Sequence, residues 1–340
     1  MRRLKLRQGK ERGGISVIVA LLMVVLLGFG AIAVDVGMLY AEKAQLQNGA
    51  DAAALAVAQR CARNQADPNC ATTSAIAATM VNGNALDGRS NVRSLALDLP
   101  NRTVKVTASA QEQGEEPNKV SLFFANALGI SSAEVNATSS VHWGSPVKGP
   151  TPFPITVSIC QVRGQAGVMQ LLQLHGNNAN PDCLYGPSGA AVQGGFGGLK
   201  QGTGICGAII DIAASTAGGD TGNNPPPNCE ATLNSWAADM NAGKNVILLL
   251  PIFNAVNGTG SNAVYGLKTF AAFSVVGWKF GTPGLPYTFR NRSTDNTSGL
   301  ECREPCRGII GTFVEYVSLA DGYTLGAIDP DGVTVVEVTG

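Results

Sequence analysis

Eight cysteines are the residues whose side chains offer the most distinctive chemistry in this sequence. Their even number, in a chain whose amino end predicts export, favours disulfides over free thiols. Cys61 and Cys70 flank a short loop, so we expect them to pair; closing about ten residues restrains the unfolded chain by about 2.5 to 3 kcal/mol. The other pairings stay open, because eight cysteines allow roughly a hundred connectivities. The disulfide candidates are Cys61, Cys70, Cys160, Cys183, Cys206, Cys229, Cys302 and Cys306.

Two other uses of these cysteines are less well supported by their spacing. A zinc site needs clustered cysteines or nearby histidines, but only Cys302 and Cys306 lie close together, and His142 and His175 are remote in sequence. A secreted cysteine hydrolase could use either histidine, yet it would also need one cysteine to stay unpaired. We therefore predict no metal site and no catalytic residue.

A glycine pattern in the second half of the chain fits a dinucleotide-binding loop on paper. Gly202, Gly204 and Gly207 have the required spacing, but no strand is predicted before them and Cys206 lies inside the pattern. In a chain with 42 glycines such a match arises easily by chance. We interpret it as a turn and predict no cofactor.

Overall charge excludes one further class of partner. The net charge is zero and 14% of the residues are charged, whereas a nucleic-acid binder needs a basic surface. We therefore expect no nucleic acid among the partners.

An apolar run near the amino end predicts where the chain resides. Residues 15–34 contain no charged side chain and follow six basic residues within 1–14. A helix rising about 1.5 Å per residue covers about 30 Å here, the thickness of the hydrocarbon layer. Because basic residues stay in the cytoplasm, we expect a single-pass protein of the cytoplasmic membrane, with its amino terminus inside and its bulk extracytoplasmic.

A cleavable export signal is the alternative interpretation of this run. Ala31, Ile32 and Ala33 fit the small-x-small pattern that a signal peptidase cuts. Cleavage after Ala33 would release an exported binding module or adhesin. We favour a retained anchor, because the run is longer than a usual signal and the helical pattern continues beyond it.

Residues 35–63 continue the helical pattern and are rich in Ala, Leu, Gln and Glu, which favour helix. We predict one continuous helix of about 45 to 50 residues, with Gly37 and Gly49 as weak points. Apolar residues spaced by three, four and seven form a narrow stripe that requires a partner helix or sheet. The predicted packing stripe is Leu39, Leu46, Ala50, Ala53 and Val57.

The residues from 12 to 58 resemble a known family. Arg12 with two following glycines, the apolar run, the motifs at 33–37 and 40–42, and the stretch 46–56 are similar to TadE/TadG-like proteins of tight-adherence (Flp-type) pilus assembly. The Cys-containing second half resembles long members from high-GC Gram-positive bacteria. The resemblance implies a pseudopilin-like structural component without catalytic activity, which contacts other pilus-assembly or envelope proteins and forms homo- or hetero-oligomers through the stalk helix.

Pilin-type processing is not predicted by the same residues. A prepilin peptidase cuts after a glycine and prefers Glu at the fifth mature position. Counted from Gly14 or Gly13, that position is Val19 or Ile18.

The remaining sequence predicts an α+β fold. After the stalk we expect a small α+β head, with helices at 71–86 and 120–128, a hairpin of strands 92–99 and 103–109, and a strand at 133–143. Four prolines and two glycines at 144–154 disfavour helix and central strand, so we place a linker there.

Beyond the linker we expect a Gly-rich, disulfide-stapled, mainly β domain, in which Cys183, Cys206 and Cys229 frame long loops. Its predicted strands are 155–160, 245–253, 269–280, 308–319 and 333–338, and its predicted helix is 231–241. The predicted domains are a basic cytoplasmic segment at 1–14, a transmembrane helix at 15–34, the stalk and head at 35–143, a linker at 144–154, and the extracytoplasmic domain at 155–340.

Overall fold

The computed structural model describes residues 12–175, 178–214, 216–220, 226–317 and 322–339. Most of the predicted basic segment 1–14 and the last residues of the predicted strand 308–319 lie outside this range. The chain forms two compact units: one comprises Met1–His142 with Val338–Gly340, and the other comprises Trp143–Glu337.

A single long helix dominates the first unit. Helix α1 spans Arg12–Arg63 and has 52 residues, which corresponds to a length of about 78 Å. Gly37 and Gly49, the predicted weak points, do not interrupt it. The long helix followed by mainly β structure confirms the predicted α+β fold class.

The head of the first unit consists of a short helix and small sheets. Helix α1 packs against α2 and β2, so both a helix and a sheet cover its inner face. Strands β1 and β2 form the expected hairpin, and β2 pairs with the first half of β5. Strands β3 and β4 form a separate hairpin. The elements after α1 are α2 (Ala75–Asn84), β1 (Ser90–Asp98), β2 (Thr103–Ala110), β3 (Lys119–Ser121), β4 (Ser132–Glu134) and β5 (Asn136–Thr151).

The predicted helix at 120–128 is wrong for most of its length. Its first residues form β3, and only Ala125–Leu128 are helical, as a single 3₁₀ turn that ends at Gly129 with φ of 85°. An α-helix here would bond the amides of Phe124 and Ala125 to earlier carbonyls. They donate instead to a carboxylate on α1, Asp35.

The expectation that residues 144–154 cannot form a central strand is also wrong, up to residue 151. Strand β5 continues through Pro146 and Pro150. These prolines are four residues apart, so their missing N–H groups face the same edge of the strand, and the other edge keeps its donors. The linker as a domain boundary stays a prediction.

The second unit is built on one large sheet. Its strands follow the order β10-β8-β6-β11-β12-β14-β7, with β13 paired to β12. Strands β9 and β16 pair with the second half of β5, and β15 pairs with β17. The strands are β6 (Ile155–Ser158), β7 (Met169–Gln173), β8 (Phe196–Leu199), β9 (Ala208–Asp211), β10 (Thr216–Asp220), β11 (Val246–Asn257), β12 (Val264–Lys279), β13 (Thr288–Phe289), β14 (Gly308–Val314), β15 (Tyr316–Val317), β16 (Thr324–Gly326) and β17 (Thr334–Val338).

Among the described residues, this unit also contains two α-helices, α3 (Ile159–Val162) and α4 (Glu230–Asn241). Strands β11 and β12 are antiparallel over most of their length, and their nearly continuous apolar runs fit strands covered on both faces. Trp236 of α4 packs edge-on against Trp278 of β12. The long apolar strands and α4 therefore match the predicted elements, whereas the short strands between residues 169 and 220 were not predicted.

Glycines in two of these short strands leave room for a buried side chain from another strand. A Cβ atom at Gly197 would overlap the hydroxyl end of the Tyr265 side chain, and one at Gly219 would lie 3.0 Å from its ring. Strands β8 and β10 therefore accommodate a buried tyrosine because they lack side chains at these positions.

Gly49 and Gly37 provide a matched test of the packing between α1 and α2. A Cβ at Gly49 would lie 3.2 Å from both the Cα and the carbonyl oxygen of Val81, whereas one at Gly37 would meet no atom within 4 Å. We expect Gly49→Leu to lower the free energy of unfolding by about 1 to 3 kcal/mol, because backbone in α2 must move.

Gly37→Leu is the control, because leucine has a higher helix propensity than glycine and its side chain has open space at this position. Thermal unfolding of the full chain in detergent measures both variants. An equal effect of the two substitutions would contradict the close approach of α2 at Gly49.

Candidate membrane anchor

The first part of α1 has the properties of a membrane-spanning helix. By length and composition it is the one helix among the described residues that could cross a membrane, and its most apolar window has a mean hydropathy of 3.0. Its large apolar side chains find no protein partner: Leu22 is 56% exposed, Leu27 72% and Phe29 68%. Thirteen of the twenty residues at 15–34 are Val, Ile, Leu or Phe, which favours insertion by several kcal/mol, at about −0.3 to −0.6 kcal/mol each.

The second part of α1 changes from exposed to buried on one face. Of the predicted stripe, Leu46, Ala50, Ala53 and Val57 are almost fully buried, and Leu39 is half-buried. Their small size lets α2 and β2 approach the helix closely. The stripe is thus covered within its own chain, and an oligomer contact through the stalk stays a prediction.

Asp35 joins the two parts of α1 to the head. It lies one residue beyond the apolar run and is 5% exposed. Its carboxylate accepts the backbone N–H groups of Phe123 at 3.1 Å, Phe124 at 3.1 and 3.2 Å, and Ala125 at 2.7 Å. Three donors to one buried carboxylate make a strong, charge-assisted contact. It fixes residues 122–131, which we call the apolar loop, to the helix at the end of the span.

Residues 13–60 match the family model of putative Flp pilus-assembly TadE/G-like proteins. This TadE/G-like segment covers the apolar half of α1, Asp35 and most of the stalk, and the match confirms the predicted resemblance. It supports a pilus-associated role for the chain. No curated protein and no solved structure matches the chain.

Sequence reasoning missed the role of Asp35, although two signals were present. It is the first charge after twenty uncharged positions, and it lies four residues before Leu39, which places it on the packing stripe. A carboxylate on a buried stripe requires donors, so its position could have indicated a capping contact. Which donors these are depends on the fold.

A second carboxylate of the TadE/G-like segment lies in an acidic environment. Glu42 is half-buried on the stalk. Burial raises the pKa of the Glu42 carboxyl above its usual value, and the negative charges of Asp87 and Glu112 raise it further. The folded head therefore binds the proton of this carboxyl more tightly than the unfolded chain does.

The eight cysteines form four pairs at disulfide distance. They close short stretches of chain, with sequence separations of 9, 23, 23 and 4 residues. The first pair is the one expected from the sequence, and it joins the carboxyl end of α1 to the loop before α2. The pairs are Cys61–Cys70, Cys160–Cys183, Cys206–Cys229 and Cys302–Cys306.

The other residues considered for chemistry occupy structural positions. His142 lies on β5 in the first unit, and His175 Nε2 lies 2.7 Å from the hydroxyl of Tyr265 in the second, where burial raises the pKa of Tyr265 to about 12. The glycine pattern at 202–207 lies in a loop whose Cys206 is paired. Among the described residues no group of three or more His, Cys, Asp or Glu side chains could hold a metal ion.

Removing the Asp35 carboxylate should release the apolar loop. We expect Asp35→Ala to accelerate hydrogen exchange at Phe123, Phe124 and Ala125 by about tenfold or more, because hydrogen bonds to a charged group contribute about 1.5 to 3 kcal/mol. Hydrogen exchange with mass spectrometry, on the full chain in detergent, measures the effect.

Asp87→Ala is the matched control for this experiment. Asp87 is exposed and accepts a hydrogen bond from a neighbouring amide, that of Arg89. Unchanged exchange of the apolar loop in Asp35→Ala would show that the carboxylate does not hold it.

Glu42 should make the stability of the head depend on pH. A carboxyl whose folded-state pKa is raised stabilises the folded state below its unfolded pKa, near 4.5, and this stability is lost as the pH rises through the folded pKa. We therefore expect Glu42→Gln to raise the unfolding midpoint at pH 7, with a difference from the parent that shrinks below pH 4.5. Glu115→Gln, at an exposed residue between β2 and β3, is the control. Equal shifts in both variants at all pH values would refute the assignment.

Proposed function

We propose that this chain is a membrane-anchored, pseudopilin-like structural component of a Tad (Flp-type) pilus or a related envelope apparatus. The observation that carries the proposal is the TadE/G-like match at residues 13–60, which coincides with the anchor and stalk of one unbroken helix. A subunit of this kind holds its head at a defined distance from the bilayer. Its work is positioning, which requires a rigid element rather than a reactive group.

The chemistry of the chain supports a non-enzymatic role. All eight cysteines are paired, so a cysteine hydrolase would lack its nucleophile in this state. The half-buried His175 contacts a tyrosine hydroxyl inside the second unit. The disulfides instead suit an exported domain whose Gly-rich loops need covalent restraint.

The basic residues, the apolar run and the disulfides together support a location for each part of the chain. We infer that residues 1–14 stay in the cytoplasm, that residues 15–34 cross the membrane, and that the stalk and head at 35–143, the linker at 144–154 and the domain at 155–340 lie outside. The positive charges before the span support this orientation. Disulfides form on the oxidising side of the membrane, which agrees with it.

Partner subunits have one face of the stalk available to them. Because α2 and β2 cover the stripe, contacts with other pilus or envelope proteins fall to exposed residues of α1, such as Tyr40, Ala44 and Asn48. A photo-crosslinker should therefore be placed at these residues. Leu46 is buried at 1% exposure and is unsuitable.

Anchorage and pilus assembly can be tested together in a host that makes Flp-type pili. We expect deletion of the gene to reduce surface pili and the full chain to restore them. A variant whose residues 1–33 are replaced by a cleavable export signal should reach the same compartment without restoring pili. Electron microscopy counts the pili, and immunoblotting confirms equal protein levels.

A further control replaces residues 15–34 by another uncharged apolar helix of equal length, which should restore pili if anchoring is what matters. Restoration by the cleaved variant would favour the alternative, an exported binding module or adhesin. The mature amino terminus gives an independent answer, since a protein that begins at Val34 is not anchored by α1.

A further inference from the structure

The apolar loop exposes large hydrophobic side chains. It lies between β3 and β4, and Phe123 is 78% exposed, Leu128 79% and Ile130 56%, with Phe124 at 40%. Residues 120–133 contain no charged side chain, and Lys119 and Glu134 flank them. Apolar side chains this exposed and this close together on a loop mark a surface that something covers.

The position of the loop along α1 indicates what covers it. A cavity of about 750 Å³ lies between loop and helix, and its lining runs from Leu26 to Asp35 on α1 and from Phe124 to Leu128 on the loop. Leu26 precedes Asp35 by nine residues, or about 13 Å along a helix axis. The loop therefore runs beside the outer turns of the span, at a depth where the helix itself faces lipid.

Seven backbone amides of the apolar loop are hydrogen-bonded within the protein, as an apolar environment requires. An amide that enters hydrocarbon must already be hydrogen-bonded within the protein. The amides of Phe123, Phe124 and Ala125 donate to Asp35. Four more find carbonyls inside the loop or at its base, namely those of Leu122, Ala127, Gly129 and Ile130.

We propose that the apolar loop inserts into the outer leaflet of the bilayer and is a second membrane contact of this chain. Lipid is the occupant, because the exposed side chains of the loop lie beside the apolar residues of the anchor with which they line the same cavity. Acyl chains fill the cavity between loop and helix. The inference rests on the membrane anchorage in the proposed function, but not on the role in pilus assembly.

Membrane contacts through both α1 and the apolar loop would restrict the orientation of the head more than α1 alone. A single helix leaves the head free to swivel and tilt about the point where the helix leaves the membrane. The loop, held to α1 by Asp35, adds a second point at a distance from the helix axis. Insertion therefore sets both the height and the tilt of the head above the lipid surface.

Fluorescence quenching by spin-labelled lipids tests the insertion. The full chain is reconstituted as one copy per nanodisc of phosphatidylethanolamine and phosphatidylglycerol, so that no partner protein is present. Leu128→Trp places a reporter on the loop, and Leu86→Trp is the matched control at a residue that is 91% exposed after α2. The emission of the parent chain, which has three tryptophans of its own, is subtracted from that of each variant. We expect doxyl groups on the acyl chains to quench the added Leu128→Trp signal at least several-fold more strongly than that of Leu86→Trp.

Leu27→Trp, on the anchor, separates failure of the inference from failure of the anchor. Quenching at residue 27 without quenching at residue 128 overturns the loop insertion and leaves the anchor intact. Quenching at neither position overturns both. A blue-shifted emission at residue 128 that doxyl lipids do not quench would mean that another part of the same chain covers the loop. That result also contradicts the proposal.

Discussion

A buried carboxylate accepts hydrogen bonds from three backbone amides and so connects the exposed apolar part of α1 to the head. Asp35 lies where the uncharged run ends, and its donors come from a loop almost ninety residues later in the chain. The interaction is local in space and distant in sequence, so it can form only after the head has folded against α1. Once formed, it separates the exposed apolar part of the helix from the part that belongs to the head.

Packing along the stalk depends on small side chains. Alanines and Gly49 let the backbone of α2 and the surface of β2 approach the helix closely, and Cys61–Cys70 then closes the chain where α1 ends. A helix covered in this way does not need a partner subunit to bury its apolar stripe. Its opposite face stays exposed and keeps polar residues such as Asn48 in contact with solvent.

Features that depend on local sequence patterns could be predicted, whereas features that depend on contacts between distant residues could not. The long helix, the hairpin of β1 and β2, and the long apolar strands β11 and β12 depend on periodicity and composition, and they were predicted. The strands β8 and β10 were not, because their glycines carry no pattern and these segments become strands only through pairing and through contact with Tyr265. The Pro-rich end of β5 was not expected to form a strand, since proline density is visible in a sequence and the direction of a missing donor is not. The stripe was predicted from spacing, whereas the partners of Asp35 required the fold.

The spacing of α1 imposes a constraint on the length of the stalk. Asp35 and Leu46 are eleven residues apart, which is close to three full turns, so both point toward the head. Adding or deleting one residue between them would rotate the carboxylate by about 100° and leave the buried core of the head where it is. The stalk can therefore keep both contacts only if the number of residues between Asp35 and Leu46 changes by whole helical turns.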